Sequence, residues 1–233
     1  LGDFPNSSST LPGGTWQLEL APFCITGRDQ YNSPSYSTLY LLRYGVTDDV
    51  EFRILGDGIT VSYGDTQSTG FSPVVLDTKI HLWDEMPERW IPGTALEILL
   101  STDWGSKDLT SGYQPTIALN FDLPLTEKLA LGSTIGYGQV KEQLLLPNSS
   151  DELLQNVNQA YFQWSVVREL DDRWSVFVTG QTYEKIAGDS AGTLLAFGGN
   201  WQQSDRVAWY SLLGWGVTPD APAITAQIGL GFA

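Results

Sequence analysis

The stretch Leu41-Leu42-Arg43-Tyr44-Gly45-Val46-Thr47-Asp48-Asp49-Val50-Glu51-Phe52-Arg53 reads as two alternating strands joined by a tight polar turn. With Arg43, Glu51 and Arg53 on one face, Leu42, Tyr44, Val50, Phe52 and Ile54 fall on the other. Period-two alternation marks a strand whose two faces meet different surroundings. In a β-sandwich the apolar face packs into a dry core and the charges meet water. In a membrane barrel the apolar face meets lipid and the charges line a lumen. The rest of the chain favours the barrel.

The connections sort by end. Val46-Thr47-Asp48-Asp49-Val50, Leu125-Thr126-Glu127-Lys128-Leu129, Leu170-Asp171-Asp172-Arg173-Trp174 and Gln203-Ser204-Asp205-Arg206-Val207 are short and alike. Each has polar residues and a charge, then an apolar re-entry, and they occupy alternate junctions, with Trp83 to Gly93 the long one in that set. The intervening connections are mostly longer and rich in Gly, Ser and Asn. Short turns at one end and long loops at the other are the layout of an up-and-down barrel in an outer membrane. A Greek-key sandwich has no reason to sort its loops by end.

Alternating segments begin at Trp16 to Leu20, continue through Leu39 to Tyr44, Val50 towards Val61, Val74 to Leu82 and Leu96 to Ser101, and finish at Ala223 to Phe232. The expected fold is all-β: a single antiparallel up-and-down transmembrane β-barrel of about twelve strands, an even number as bacterial single-chain barrels have. Residues 1–13, with Ser7-Ser8-Ser9-Thr10 and Pro12-Gly13, read as a flexible lead-in, and residues 14–233 as the barrel. Ser62 to Ser72 reads as a Gly/Ser/Thr-rich loop. Gln139 to Asn156 reads as the longest loop, in which the capping box Ser149-Ser150-Asp151-Glu152 allows at most one short helix.

Aromatic placement agrees. Trp16, Tyr40, Tyr44, Tyr137, Trp164, Trp174, Trp201, Trp209 and Trp215 sit largely near strand ends on the apolar face. Amphipathic rings belong at headgroup level, where barrels carry girdles of them. The last segment, Ile224-Thr225-Ala226-Gln227-Ile228-Gly229-Leu230-Gly231-Phe232-Ala233, alternates to a penultimate Phe and resembles the assembly signal that ends outer-membrane barrels.

Composition narrows the function classes. The chain of 233 residues is 42% hydrophobic and 17% charged, so it is neither disordered nor strongly solvated. No run of 18 apolar residues exists, which excludes a transmembrane helix but not spanning strands. A net charge of -15 argues against nucleic acid as a partner. The single Cys24 leaves no internal disulfide or multi-Cys metal site. The opening Leu1-Gly2-Asp3 suits a mature product whose leader has been removed.

Glu19, Arg43, Glu51, Arg53, Asp77, Lys79, His81 and Glu97 all take the charged face of the first five strands. In a closed barrel they converge near the short-turn end. They form a mutually neutralising network that fills the interior, a charged constriction that selects solutes, or both at once. Catalysis is not expected: His81 is the only imidazole, and no Gly-x-Ser-x-Gly elbow accompanies it. No cofactor and no metal site are expected. Asp103, Asp108, Asp151 and Glu152 form a solvated loop face or bridge divalent cations to anionic lipid headgroups.

The chain resembles the family of outer-membrane transporters associated with phenol and aromatic degradation (the MetA-pathway of phenol degradation type). The residues that carry the resemblance are Leu41 to Arg53, then Leu76-Asp77-Thr78-Lys79, then Ala95-Leu96-Glu97-Ile98-Leu99-Leu100-Ser101. Asp77 stands where the family usually has Gly, and Leu100-Ser101-Thr102-Asp103 replaces a Leu-Pro-Thr-Gly. The resemblance implies a passive channel or transporter for small solutes, with hydrophobic or aromatic compounds as cargo. The expected setting is the bacterial outer membrane, with lipid and lipopolysaccharide around the barrel and envelope proteins as further partners. Two alternatives stand beside this: a non-conducting barrel that anchors an envelope assembly, and a soluble β-sandwich binding module.

Overall fold

Alternation in the sequence becomes strand almost everywhere. A computed structural model of the protein describes residues 2–28, 33–63, 67–110, 112–145, 152–185 and 191–233. The strands are β1 (Trp16–Thr26), β2 (Ser35–Gly45), β3 (Val50–Gly56), β4 (Ile59–Tyr63), β5 (Gln67–Phe71), β6 (Val75–Trp83) and β7 (Gly93–Ser101). The second half holds β8 (Gln114–Thr126), β9 (Leu129–Leu145), β10 (Glu152–Glu169), β11 (Trp174–Lys185), β12 (Ala191–Ser204), β13 (Val207–Gly216) and β14 (Thr225–Phe232). Neighbours pair antiparallel, and β1 pairs with both β2 and β14, so the sheet closes on itself.

Closure is by register as well as by order: Leu18 lies opposite Phe232, and Cys24 opposite Gln227. Both β3 and β4 run along β2, and they pair with β6 and β5 respectively. They are therefore one wall strand broken at Asp57-Gly58, and β5 with β6 is a second, broken at Ser72-Pro73-Val74. Gly58 adopts φ +55° where the strand bends, a conformation that costs a side-chain-bearing residue. Proline has no amide hydrogen to give the ladder, which suits Pro73 to the second break. Counted this way the wall has twelve strands, as the alternation predicts.

Several boundaries differ from the sequence reading. Ser62 to Ser72 is not a plain loop, because its two ends form the β4–β5 hairpin. Gln139 to Leu145 and Glu152 to Asn156 belong to β9 and β10, so the expected long loop is largely strand. In the predicted cap, Ser149 to Asp151 lie outside the described residues, while Glu152 opens a strand. A spanning strand needs about 9–11 residues, so β9 and β10, at 17 and 18, project well beyond the bilayer. The short connections hold their expected ends. Val46 N–H donates to Val50 O at 2.8 Å, and Leu170 N–H to Trp174 O at 2.8 Å.

The faces are inverted relative to a water-soluble protein. Ile98, Ile135, Val178, Phe197 and Ile228 are about half exposed, whereas the largest fully buried side chains are Lys79, Glu51, Glu97 and Asn120. Arg53 retains only 3% of its exposure. Within the hydrocarbon no water is present to satisfy backbone N–H and C=O groups, so the closed ladder is what allows the chain to cross. Apolar side chains then meet lipid, and the ions meet each other.

Candidate functional site

The inward face of β1, β2, β3, β6 and β7 gathers the charged residues picked out in the sequence. Arg43 grips Glu51 with two bonds, Nε to Oε1 at 2.7 Å and Nη2 to Oε2 at 3.0 Å. Its Nη1 donates to Gln17 at 2.8 Å and stands 3.6 Å from Glu19. One rung further in, Arg53 Nη2 pairs with both Asp77 and Glu97. Pairing of this kind is what lets ions sit out of bulk water. The cross-strand register sets these contacts, since Arg43 lies opposite Arg53, Arg53 opposite Asp77, and Lys79 opposite Glu97. His81 lies at the rim, between Ser8 O at 3.1 Å and Asp84 at 3.0 Å.

The belt is completed by the N-terminal segment, which the sequence presents as a loose lead-in. Residues 2–13 instead run through the lumen. Leu11 N–H donates to Glu51 at 2.7 Å, and Lys79 Nζ donates to the carbonyls of Ser7 and Ser9 at 3.1 and 2.7 Å. Asn6 Nδ2 donates to both Glu97 oxygens, at 3.0 and 3.1 Å, and Asn6 N–H to Thr134 Oγ1 at 3.1 Å. Asp122 accepts from the Ser7 hydroxyl and from the Ser8 amide and hydroxyl. Further along, Phe4 N–H donates to Thr179, while the Phe4 ring packs on buried Phe177, Ala196 and Leu212. Burial pushes the Asp3 carboxyl above the ordinary carboxylate range, against the Ser165 hydroxyl that pulls it down. The segment is thus an internal plug, held chiefly by polar contacts.

Asn6, Ser8, Leu11, Asn120, Asp122 and Thr134 are the site residues that alternation alone does not reveal. Asn120 donates to Glu97 and accepts from Thr134, both buried. A clue for the plug existed in its composition: its serines, Asn6 and Pro12 carry unspent hydrogen-bonding capacity and no apolar periodicity.

The facing wall is built differently. Tyr161, Tyr183 and Tyr210 each stand opposite a glycine of the next strand, Gly136, Gly192 and Gly229. A Cβ at any of the three would sit inside the tyrosine ring, so each ring lies flat against the wall because its partner has no side chain. Towards the long-loop end the inward positions next to the belt are apolar: Leu39, Leu41, Leu55, Val75 and Leu99. Two cavities border this region. One, of about 190 Å³, lies between the plug and the wall and includes Phe4, Leu41, Arg53, Leu55 and Leu212 in its lining. The other, of about 310 Å³, sits at the two strand breaks, where Asp57 and Pro73 meet Tyr40 and Leu55. Among the described residues no group of three or more His, Cys, Asp or Glu is placed to hold a metal ion.

A closed twelve-stranded sheet with lipid-facing apolar side chains and an ionic, plugged lumen defines a transmembrane barrel of the outer-membrane type. The family described as "Putative MetA-pathway of phenol degradation" matches residues 2–233, and the chain belongs to it. No curated protein sequence matches the chain. Among solved structures, the COG4313 outer membrane channel from Pseudomonas putida F1 is similar at a TM-score of 0.67 and 13% identity, covering 98% of each chain. The NanC porin is similar at 0.64 and 12%, covering 94% of this chain and all of the other. The CymD monoaromatic hydrocarbon channel is similar at 0.51 and 9%, covering 96% of this chain and 89% of its own. At these identities the likeness is one of fold.

Proposed function

We propose that the protein is a passive channel of the bacterial outer membrane for small apolar or aromatic solutes, closed at rest by its own N-terminal segment. The observation that carries this reading is the uncharged lining beyond the belt: flattened tyrosine rings on one side, Leu39, Leu41, Leu55, Val75 and Leu99 on the other. Such a surface has little to offer an ion and a good deal to offer a ring, with Gln163 and Gln181, bonded to each other, as polar positions between the tyrosines. The cavity at Asp57 and Pro73 reaches from inward-facing Leu55 and Val75 to lipid-facing Tyr40 and Gly56, a path for a solute already dissolved in the bilayer. The charged belt acts as the seat of the plug and as a filter for what passes when the plug leaves. We assign His81 no catalytic role, since its ring nitrogens are engaged by Ser8 O and Asp84. Lipid and lipopolysaccharide form its surroundings.

Proteoliposomes test this. Phenol or toluene flux above protein-free vesicles, with no sugar-driven swelling, is the expected result. Sugar uptake exceeding aromatic flux overturns the solute class. The anchor reading rests on the plug, which occupies the lumen from Phe4 to Leu11. No flux of any solute, together with no single-channel currents, decides for it.

A further inference from the structure

We infer that His81 is a proton-operated latch on the plug: with both ring nitrogens protonated it holds the segment seated, and loss of one proton loosens the hold at Ser8. The inference begins with what the two nitrogens face. Nδ1 stands 3.1 Å from the Ser8 carbonyl oxygen, and Nε2 stands 3.0 Å from Asp84 Oδ1. A carbonyl and a carboxylate only accept, and a neutral imidazole carries a single N–H, so only the imidazolium fills both bonds. Histidine is the side chain whose charge ordinarily changes between about pH 5 and 8. The ring keeps 17% of its exposure, so protons from bulk water reach it.

No neighbour can take over the bond to Ser8. On β6, Lys79 is committed to the Ser7 and Ser9 carbonyls, on either side of Ser8, and Glu51 and Glu97 lie opposite it one rung further in. On the connection after β6, Asp84 holds the ring, while Glu85 and the Ser8 hydroxyl both come up against Gly93. From β8, Asp122 accepts from the Ser8 amide and hydroxyl. Directly across the ladder stand Ala95 of β7 and the Asp49 carbonyl of the β2–β3 turn, which accepts the His81 N–H at 2.8 Å. The carboxylates among these have no hydrogen to give a carbonyl.

Deprotonation weakens the seat whichever nitrogen keeps the remaining proton. If Nε2 keeps it, lone pairs face each other at Ser8 and that bond is gone. If Nδ1 keeps it, the donor is no longer charged, and such a bond is roughly half as strong. Seating is therefore firmer on the acid side of the imidazole range and looser above it. The latch sits at the short-turn end, which in outer-membrane barrels faces the periplasm, so a fall in periplasmic pH seals the lumen. The gating consequence rests on the channel reading above; the latch itself does not.

His81 is the only imidazole in the chain, so NMR of the untagged, detergent-folded barrel labelled on histidine follows its proton alone. Hydrogen exchange of residues 2–13, corrected for the intrinsic effect of pH, follows the seat. Protection is expected to fall about ten-fold between about pH 5 and 8, in step with the loss of the ring proton. His81→Gln offers a neutral donor at every pH and should remove that fall. Asp3, whose carboxyl burial pushes up, is common to both barrels and cancels from their difference. Should His81→Gln fail to fold, the two titrations of the native barrel still decide. Protection that stays flat, that rises with pH, that has no component at the ring's own midpoint, or that falls equally in His81→Gln overturns the inference. In planar bilayers the open fraction of the native barrel should rise by a similar factor over the same interval, and a conducting barrel without that rise overturns the gating consequence. A barrel that shows the latch by exchange but never conducts removes the channel reading and leaves the latch in place.

Discussion

The wall of β1 to β3, β6 and β7 and the wall of β10 to β14 line the same lumen and are built on opposite terms. On the first, Glu19, Arg43, Glu51, Arg53, Asp77, Lys79 and Glu97 interlock, and the plug hangs from them through Asn6, the Ser7 and Ser9 carbonyls and the Leu11 amide. On the second, the inward positions away from the short-turn rim, such as Gln163, Ser165, Phe177, Thr179, Gln181, Leu194 and Leu212, carry no charge, and Tyr161, Tyr183 and Tyr210 lie over glycines. The contrast teaches that an interior can be filled in two ways. Ions fill it by pairing, which demands fixed partners and supplies an anchor. Rings over glycines fill it by area, which leaves a smooth surface that holds nothing in particular.

If that contrast is right, the ionic wall should be the less forgiving one. Glu97→Ala strips Arg53 of one carboxylate and leaves Asn6 and Asn120 without their acceptor. Removing one partner of a buried pair costs about 3 kcal/mol or more. Urea titration of the lipid-embedded barrel should show a loss of that size, and an unchanged midpoint would mean that water replaces Glu97 freely.

A smaller effect is expected from the ring-and-glycine wall. Gly136→Val places side-chain carbons where the Tyr161 ring lies, and overpacking of this kind costs about 2 kcal/mol. The ring must swing into the lumen, so single-channel conductance should fall while the plug contacts survive. Conductance that stays at the native level would show that these rings do not border the path.

The mildest change concerns the plug alone. Asn6→Ala removes both bonds to Glu97 and the one that Asn6 Oδ1 accepts from Arg53 Nη1 at 3.3 Å, while every wall side chain stays in place. A hydrogen bond to a charged group contributes about 1.5 kcal/mol, so the open fraction should rise about ten-fold in planar bilayers, with barrel stability nearly constant. A fall in stability equal to that of Glu97→Ala would mean that the plug and the belt fold as one unit.

How far the primary structure carries the reader depends on distance along the chain. Alternation is a local property, so the faces of Leu42, Phe52, Ile98 and Ile228, the inward set from Glu19 to Glu97, and the count of twelve wall strands are all legible in it. A strand has only two faces, and knowing which one is greasy settles both. The break at Asp57-Gly58 was half legible, through the glycine. The projection of β9 and β10 was not, because the residues from Gln139 to Asn156 alternate weakly and carry a cap signal whose Glu152 instead opens a strand.

By itself, then, the amino-acid order determined a barrel, its lipid face and its ionic lining, since each follows from a period of two read within a few residues. Only the tertiary structure decided that residues 2–13 lie inside, that Asn6 finds Glu97 across 91 positions of chain, and that a cavity opens beside Arg53. Those contacts join segments with no shared periodicity. Polar side chains with spare hydrogen-bonding capacity will take water or a lumen equally well, and the choice is made by what the closed sheet places within reach.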